Sequence, residues 1–238
     1  MIKVLIVIPA FNEEKNIALV IEKVTSIVTP YNIIIIPLVI NDASIDGTAE
    51  VVLKNNCMLI NLPVNLGIGG VVQTGFKYAL YNGYDYAIQF DGDGQHPADK
   101  IVDLIEVALQ GYDVVIGSRF IENKGYRSTF LRRIGIWYFK YIIKIFCGIT
   151  IYDCTSGFRI LNRKALEIVS EFYPDDYPEP VSIVLYKQKQ LKIKEIPVIM
   201  YERIEGKSSI RAFNTIYYMI KVTLGLFFTF FRAIKNRN

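Results

Sequence analysis

The chain has 238 residues, 52% hydrophobic and 21% charged, which excludes a disordered protein and leaves room for one large domain or two closely packed halves, since single cores stop growing near about 250–300 residues. A net charge of +4 is too small to argue for nucleic acid and suits an anionic substrate or an anionic membrane surface. Three cysteines (Cys57, Cys147, Cys154) without a C-x-x-C pair exclude a disulfide framework and fit a reducing cytosol, and the lone histidine, His96, excludes mechanisms built on a histidine cluster or on a Ser-His-Asp triad elsewhere.

The apolar run Ile2 to Ile8 meets Glu13 and Glu14 with no A-x-A-like cleavage site, so it reads as a first strand and not as a signal peptide. A helix is expected from about Glu13. A second strand over Ile33 to Ile40 precedes a helix from about Gly47, and a third over Met58 to Leu62 precedes one from about Gly70. Tyr84 to Phe90 and Asp113 to Ile116 supply two more strands. Continuously apolar strands alternating with helices predict an α/β fold whose mostly parallel sheet is covered on both faces.

Ligands in such sheets bind outside the carboxyl ends of the strands. Four polar signatures fall there: Pro9-Ala10-Phe11-Asn12-Glu13, Asn41-Asp42-Ala43-Ser44, Asp91-Gly92-Asp93 and Gly117-Ser118-Arg119. Asp91, Asp93 and Gln95 stand at alternate positions of an extended segment and offer hard oxygen ligands on one side, suited to magnesium or manganese beside a phosphate. The same residues also suit an acidic turn capping the helix that Pro97 begins. Asp42 and Asp46 fit a helix cap as well as they fit a nucleotide base or ribose. The glycines of Asn65-Leu66-Gly67-Ile68-Gly69-Gly70 precede a helix, where backbone amides meet a phosphate or permit close packing. They follow the third strand, so this is not the dinucleotide fingerprint.

The second half reads differently. A basic, aromatic helix runs from about Ser128 to Phe146, with Arg133, Lys140 and Lys144 on one stripe beside Trp137 and Tyr138. It suits a membrane interface, the favoured reading, although a core helix with snorkelling lysines would look similar. A loop through Asp153 to Arg159 follows, then a strand near Ile193 to Met200 and a final helix after Arg211. Between Lys221 and Arg232 lie ten uncharged residues, covering roughly half of a 30 Å hydrocarbon core at about 1.5 Å per residue. An interfacial helix, or one docked on a membrane partner, is expected there, not a span.

Pro9-x-Phe11-Asn12-Glu13, Asn41-Asp42-x-Ser44-x-Asp46-Gly47-Thr48, Asn65-x-Gly67-x-Gly69-Gly70, Asp91-x-Asp93-Gly94-Gln95-His96-Pro97, Gly117-Ser118-Arg119, Asp153-x-Thr155-Ser156-Gly157-Phe158-Arg159 and Glu202-Arg203-x-x-Gly206-Lys207-Ser208 occur in that order over most of residues 4 to 209. Together they resemble glycosyltransferase family 2, in the branch of polyprenyl- and dolichyl-phosphate glycosyltransferases. The resemblance implies a GT-A fold over residues 1–211, with a nucleotide-sugar half to about residue 96 and an acceptor half from about 97, and a membrane-associated helix over 212–238. It implies an inverting enzyme with a Mg2+ or Mn2+ ion, a UDP- or GDP-sugar as donor and a polyprenyl phosphate as acceptor, working at the cytoplasmic face of the membrane.

Donor contacts are implied for Pro9, Phe11, Asn12, Glu13, Asp42, Gly69, Asp91 and Gly92, and metal ligation for Asp91, Asp93 and Gln95. Arg119, Arg133, Arg203, Lys207 and Ser208 are implied at the acceptor phosphate. The catalytic set is then Asp93, Arg119, Arg203 and Lys207, with Asp153 as the candidate base if the acceptor is instead a saccharide hydroxyl. A non-catalytic membrane scaffold is the remaining alternative.

The chain departs from the family pattern at Asn41, where many relatives carry an aspartate, at Ile68, where many carry lysine, and at Trp137, near a position often held by arginine. Many relatives also continue into two or more membrane-spanning helices, whereas one short apolar helix follows here. That leaves a place for a small membrane-anchoring protein, and the homo-oligomeric state stays open.

Overall fold

The computed structural model describes residues 1–29, 32–122, 130–201 and 212–235, with side chains outside 130–134, 212–216 and 233–235. Seven strands form one sheet: β1 (Ile2–Ala10), β2 (Ile33–Asn41), β3 (Met58–Asn61), β4 (Tyr86–Gln89), β5 (Val114–Ser118), β6 (Arg159–Asn162) and β7 (Ile193–Pro197), in the order β3-β2-β1-β4-β6-β5-β7. All neighbouring pairs are parallel except those of β6, which runs antiparallel to both β4 and β5.

The chain's apolar runs explain the order. Val4 to Ala10 of β1 are buried without a break, as expected of a strand covered on both faces. Each fully buried Ile, Leu or Val there contributes about 1.5–3 kcal/mol relative to exposure. β3 is half-exposed at the sheet's edge and carries no such run.

Helices α1 (Ile17–Thr25), α2 (Thr48–Lys54) and α4 (Ile101–Leu109) cover one face, where Val20, Val24, Leu104 and Ile105 pack on Ile6, Ile8 and Ile88. Helices α3 (Gly67–Tyr81), α5 (Phe130–Cys147), α6 (Arg163–Glu171), α7 (Pro178–Gln188) and α8 (Ala212–Lys235) cover the other, around Phe76, Phe139, Ile183 and Leu226. A 3-10 turn, Ala98–Lys100, separates the acidic loop after β4 from α4. The three cysteines are buried and unpaired.

The predicted elements reappear with shifts of a few residues. Three elements were not expected: helices α6 and α7, which fill the stretch between the Asp153–Arg159 loop and the Ile193 strand, and strand β6, four residues that begin at Arg159 where the expected loop ends. Only Ile160 and Leu161 give β6 an apolar signature, and Arg159 masks its start. Among the described residues no helix is long and apolar enough to cross a membrane.

Candidate active site

The rim at the carboxyl ends of β1, β2 and β4 is organised by hydrogen bonds between loops. Asn12, in the left-handed region at φ 55°, donates its N–H to Ser44 Oγ at 2.9 Å and accepts from Ile45 N–H through Oδ1 at 3.0 Å. Glu13 N–H donates to Thr48 Oγ1, and Glu14 accepts from Gly47 N–H. The β1 and β2 loops are therefore one unit. Asn41 stiffens it, accepting from Ser44 N–H and donating to Asn61 at 2.9 Å, an arrangement that uses both ends of its amide.

Asp42 is buried, and its two carboxylate oxygens accept from Leu66 N–H at 2.7 Å and Gly67 N–H at 3.0 Å. Negative charge at these first amides of α3 is favourable. Asp42 thus holds the glycine segment in place, and Asp46, the residue before the N-cap Gly47, accepts from Thr48 N–H at the start of α2 at 3.1 Å. Gly69, further into α3, donates its N–H to Asp175 O at 3.0 Å, and a Cβ on it would lie 2.0 Å from Pro174 O. Only glycine fits there.

The acidic loop crosses this rim. Gly92 N–H donates to Pro9 O, and Asp93 Oδ1 accepts from Gln95 N–H at 3.1 Å. Gln95 is joined to Tyr201 twice: Tyr201 N–H donates to Gln95 O at 2.9 Å, and Gln95 Nε2 donates to Tyr201 O at 3.3 Å. That bond turns the amide so that Oε1 remains as an acceptor. His96 is buried between Phe90 and Phe158, with its Nδ1 accepting from Asp91 N–H at 3.0 Å.

A cleft of about 410 Å³ brings together Pro9, Phe11, Glu13, Asp42, Asp91, Gly92 and Asp93. Asn12 and Gly69 support its walls through the contacts above. Among the described residues no three His, Cys, Asp or Glu side chains are grouped so that they could hold a metal ion by themselves. Two carboxylates and an amide oxygen on one loop fit a hard divalent cation that takes its remaining ligands from a diphosphate and water.

The residues expected at the acceptor phosphate have a different setting. Arg119 donates to Asp153 through Nε at 2.6 Å, Nη2 at 2.7 Å and its backbone N–H at 3.0 Å, and through Nη2 to Thr155 Oγ1. Their side chains are 9% and 0% exposed, so this is a buried bidentate pair. Two residues expected in separate tasks, anion binding and base catalysis, are bonded to each other in this structure. As a base, Asp153 would have to release Arg119 and reach solvent it does not touch.

Glu195 supports the pair from behind, accepting from Tyr152 N–H and Asp153 N–H at 2.8 Å each. Burial pushes its carboxyl above the ordinary value, and these two donors oppose the rise. Arg119 also borders a second hollow of about 350 Å³ with Ser118, Lys100 and Tyr201. The side chain of Arg133, and Arg203, Lys207 and Ser208, lie outside the described residues.

Gln89 and Glu179 near the site were not singled out from sequence, and Arg159 was named only as the end of a motif, with no role. Gln89, buried at the end of β4, donates to Asp91 Oδ1 at 3.2 Å. Arg159, fully buried, donates to Ser156 O, Ser182 Oγ and Glu179 O. Burial raises the Glu179 carboxyl, and the Arg159 charge pulls it back. The available signal was an amide beside Phe90 in an otherwise apolar strand end.

A family model described as Glycosyl transferase family 2 matches residues 5–169. A UDP-N-acetylglucosamine–dolichyl-phosphate N-acetylglucosaminyltransferase from Methanococcus voltae is 28% identical, covering 92% of this chain and 96% of its own. A polyprenol monophosphomannose synthase from Mycolicibacterium smegmatis is 26% identical, covering 92% and 85%. A glucosyl-3-phosphoglycerate synthase from Mycobacterium tuberculosis, solved with Mn2+, UDP-glucose and phosphoglyceric acid, shares the fold at a TM-score of 0.71 and 17% identity, over 96% of this chain and 79% of that one. The family model spans well over half of the sequence and takes in the cleft-forming loops from Pro9 to Asp93, so the chain belongs to glycosyl transferase family 2.

Proposed function

We propose that the protein is an inverting enzyme that moves one sugar from a nucleotide diphosphate sugar to a polyprenyl phosphate, with Mg2+ or Mn2+, at the cytoplasmic face of a membrane. One observation carries the acceptor: two relatives named for transfer to dolichyl or polyprenyl carriers match nearly the whole chain. The cleft supports the donor. Asp91 and Asp93, which line the cleft, would hold the cation, with Gln95 Oε1 from the same loop as a third oxygen, and the Pro9 to Glu13 loop and the Asp42-anchored glycine segment as walls for the nucleotide.

When bound, such an ion stabilises negative charge on the departing diphosphate. The chain's own part is to hold two anions in line. A phosphate acceptor is already largely ionised at neutral pH, its second pKa lying near about 6, so no strong base is required. The buried Arg119–Asp153 pair fits that chemistry better than a saccharide hydroxyl acceptor, which requires a base with access to the substrate.

Two helices favour a membrane location. α5 exposes Trp137, Tyr141 and Ile145, and α8 exposes Ile220, Leu224, Phe227, Phe228 and Phe231. Trp137 and Tyr141 stack at 5.9 Å between ring centroids, and Lys140 and Lys144 lie on the same helix. Aromatic, aliphatic and basic residues so arranged suit a bilayer interface.

The acceptor is tested by supplying purified protein with Mn2+, labelled UDP- and GDP-sugars, undecaprenyl or dolichyl phosphate and, in parallel, soluble saccharides. Labelled lipid is expected. Label found only in saccharide would overturn the reading. Sedimentation with vesicles tests the location: binding that Phe228→Asp weakens is expected, and no binding to zwitterionic or anionic vesicles would contradict it.

A further inference from the structure

Beneath the acidic loop lies a polar layer within the core. Gln89 and Arg159 face each other directly in the β4–β6 register, and strand alternation puts both on the sheet face of Ala87 and Leu161. Both are fully buried. A polar group in such a place is costly unless hydrogen-bonded. Arg159 meets the requirement with two carbonyls and a hydroxyl.

Gln89 does so unevenly. Its Nε2 donates to Asp91 Oδ1, and its amide also reaches the Glu179 carboxyl at the head of α7. Its Oε1, fully enclosed, has no partner among the described residues. The amide is therefore turned to give a donor to Asp91 while leaving a buried carbonyl oxygen unpaired. Gly157 leaves the space this contact occupies, because a Cβ there would come within 2.5 Å of Nε2 and 3.5 Å of Asp91 Oδ1. On the opposite side of the same carboxylate, His96 accepts from Asp91 N–H through Nδ1, which puts the ring proton on Nε2, 3.4 Å from Asp91 Oδ2.

The structure assigns Gln89 as a positioning residue: its amide N–H fixes the rotation of the Asp91 carboxylate, opposite His96, so that one oxygen geometry meets the divalent cation and donor diphosphate. This rests on Asp91 being a metal ligand. Partners of this kind behind metal ligands typically change metal affinity by about 10- to 100-fold when removed.

The test is Gln89→Met, close in shape and without donors, with free Mn2+ followed by electron paramagnetic resonance in the presence of UDP or GDP. Mn2+ affinity is expected to fall about tenfold, while metal-free nucleotide affinity stays at the wild-type value. Gln89→Asn, whose amide is one methylene too short to reach Asp91, serves as the second variant if the first does not fold, with the same expected loss. Equal Mn2+ affinity in variant and wild type would overturn the assignment, as would a parallel loss of metal-free nucleotide affinity, which marks general damage. Wild type that binds Mn2+ with neither nucleotide would remove the metal-site reading itself and Gln89's role with it.

Discussion

The two sides of the sheet build their share of the cleft in different ways. On the β3-β2-β1-β4 side, loops after successive strands are joined by side chain-to-backbone hydrogen bonds: Asn12 to Ser44 and Ile45, Asp42 to Leu66 and Gly67. On the β6-β5-β7 side, a strand runs against its neighbours and the polar residues are consumed in a buried pair, Arg119 with Asp153. One side presents carboxylates to an open cleft; among the described residues of the other, Arg119 and Asp153 neutralise each other inside the fold. Charged residues in similar motifs thus take opposite roles according to whether their partners lie inside the fold.

The largest effect expected from this contrast is on stability. Asp153→Asn leaves the Arg119 guanidinium facing a neutral amide in a nearly dry site, and removing one partner of such a pair costs about 3–5 kcal/mol. Urea unfolding should show the loss together with falling activity; lost activity at an unchanged midpoint would return Asp153 to the role of base. Next comes Asp91→Asn, on the open side. It should lower the transfer rate by about 100- to 1,000-fold, the scale of losing one preorganised charge-stabilising group, with little change in melting temperature.

Gly69→Ala should be smaller. The added methyl meets the Pro174 carbonyl, and overpacking of this kind costs about 1–3 kcal/mol; calorimetry should show it, with a raised KM for the donor. Asp46→Ala should be smaller still, about 1 kcal/mol for the hydrogen bonds from Thr48 and Glu14 that it accepts at the start of α2. Burial tends to raise the Asp46 carboxyl, but the donors of Thr48 and Glu14 outweigh it and hold the group below the ordinary value. Its contribution is then present above that ordinary value and lost as pH falls through the lower folded-state one, so the difference between variant and wild type should shrink in acid.

The same contrast governs what was legible in the sequence. Runs such as Ile2 to Ile8 gave the strands away because a parallel strand buried on both faces has no other composition available. Asp91 and Asp93, which the structure places at one cleft, could be picked out because their spacing is local. Arg119 and Asp153 were found as residues but not as a pair, since 34 positions separate them and no periodicity connects them. Strand β6 was hidden because its first residue is an arginine whose charge is satisfied by Ser156, Ser182 and Glu179, contacts that only the folded chain creates. Gln89 escaped for a related reason: an amide at a strand end has no meaning until Asp91 and Gly157 close around it.

The most direct test of the central claim is transfer of labelled sugar to undecaprenyl or dolichyl phosphate by wild type and Asp91→Asn, with Mn2+ or Mg2+ titrated in after chelation. The account predicts lipid-linked sugar that disappears with chelator, returns with metal, and stays low in the variant. Transfer that persists without metal, or that Asp91→Asn leaves intact, would contradict it.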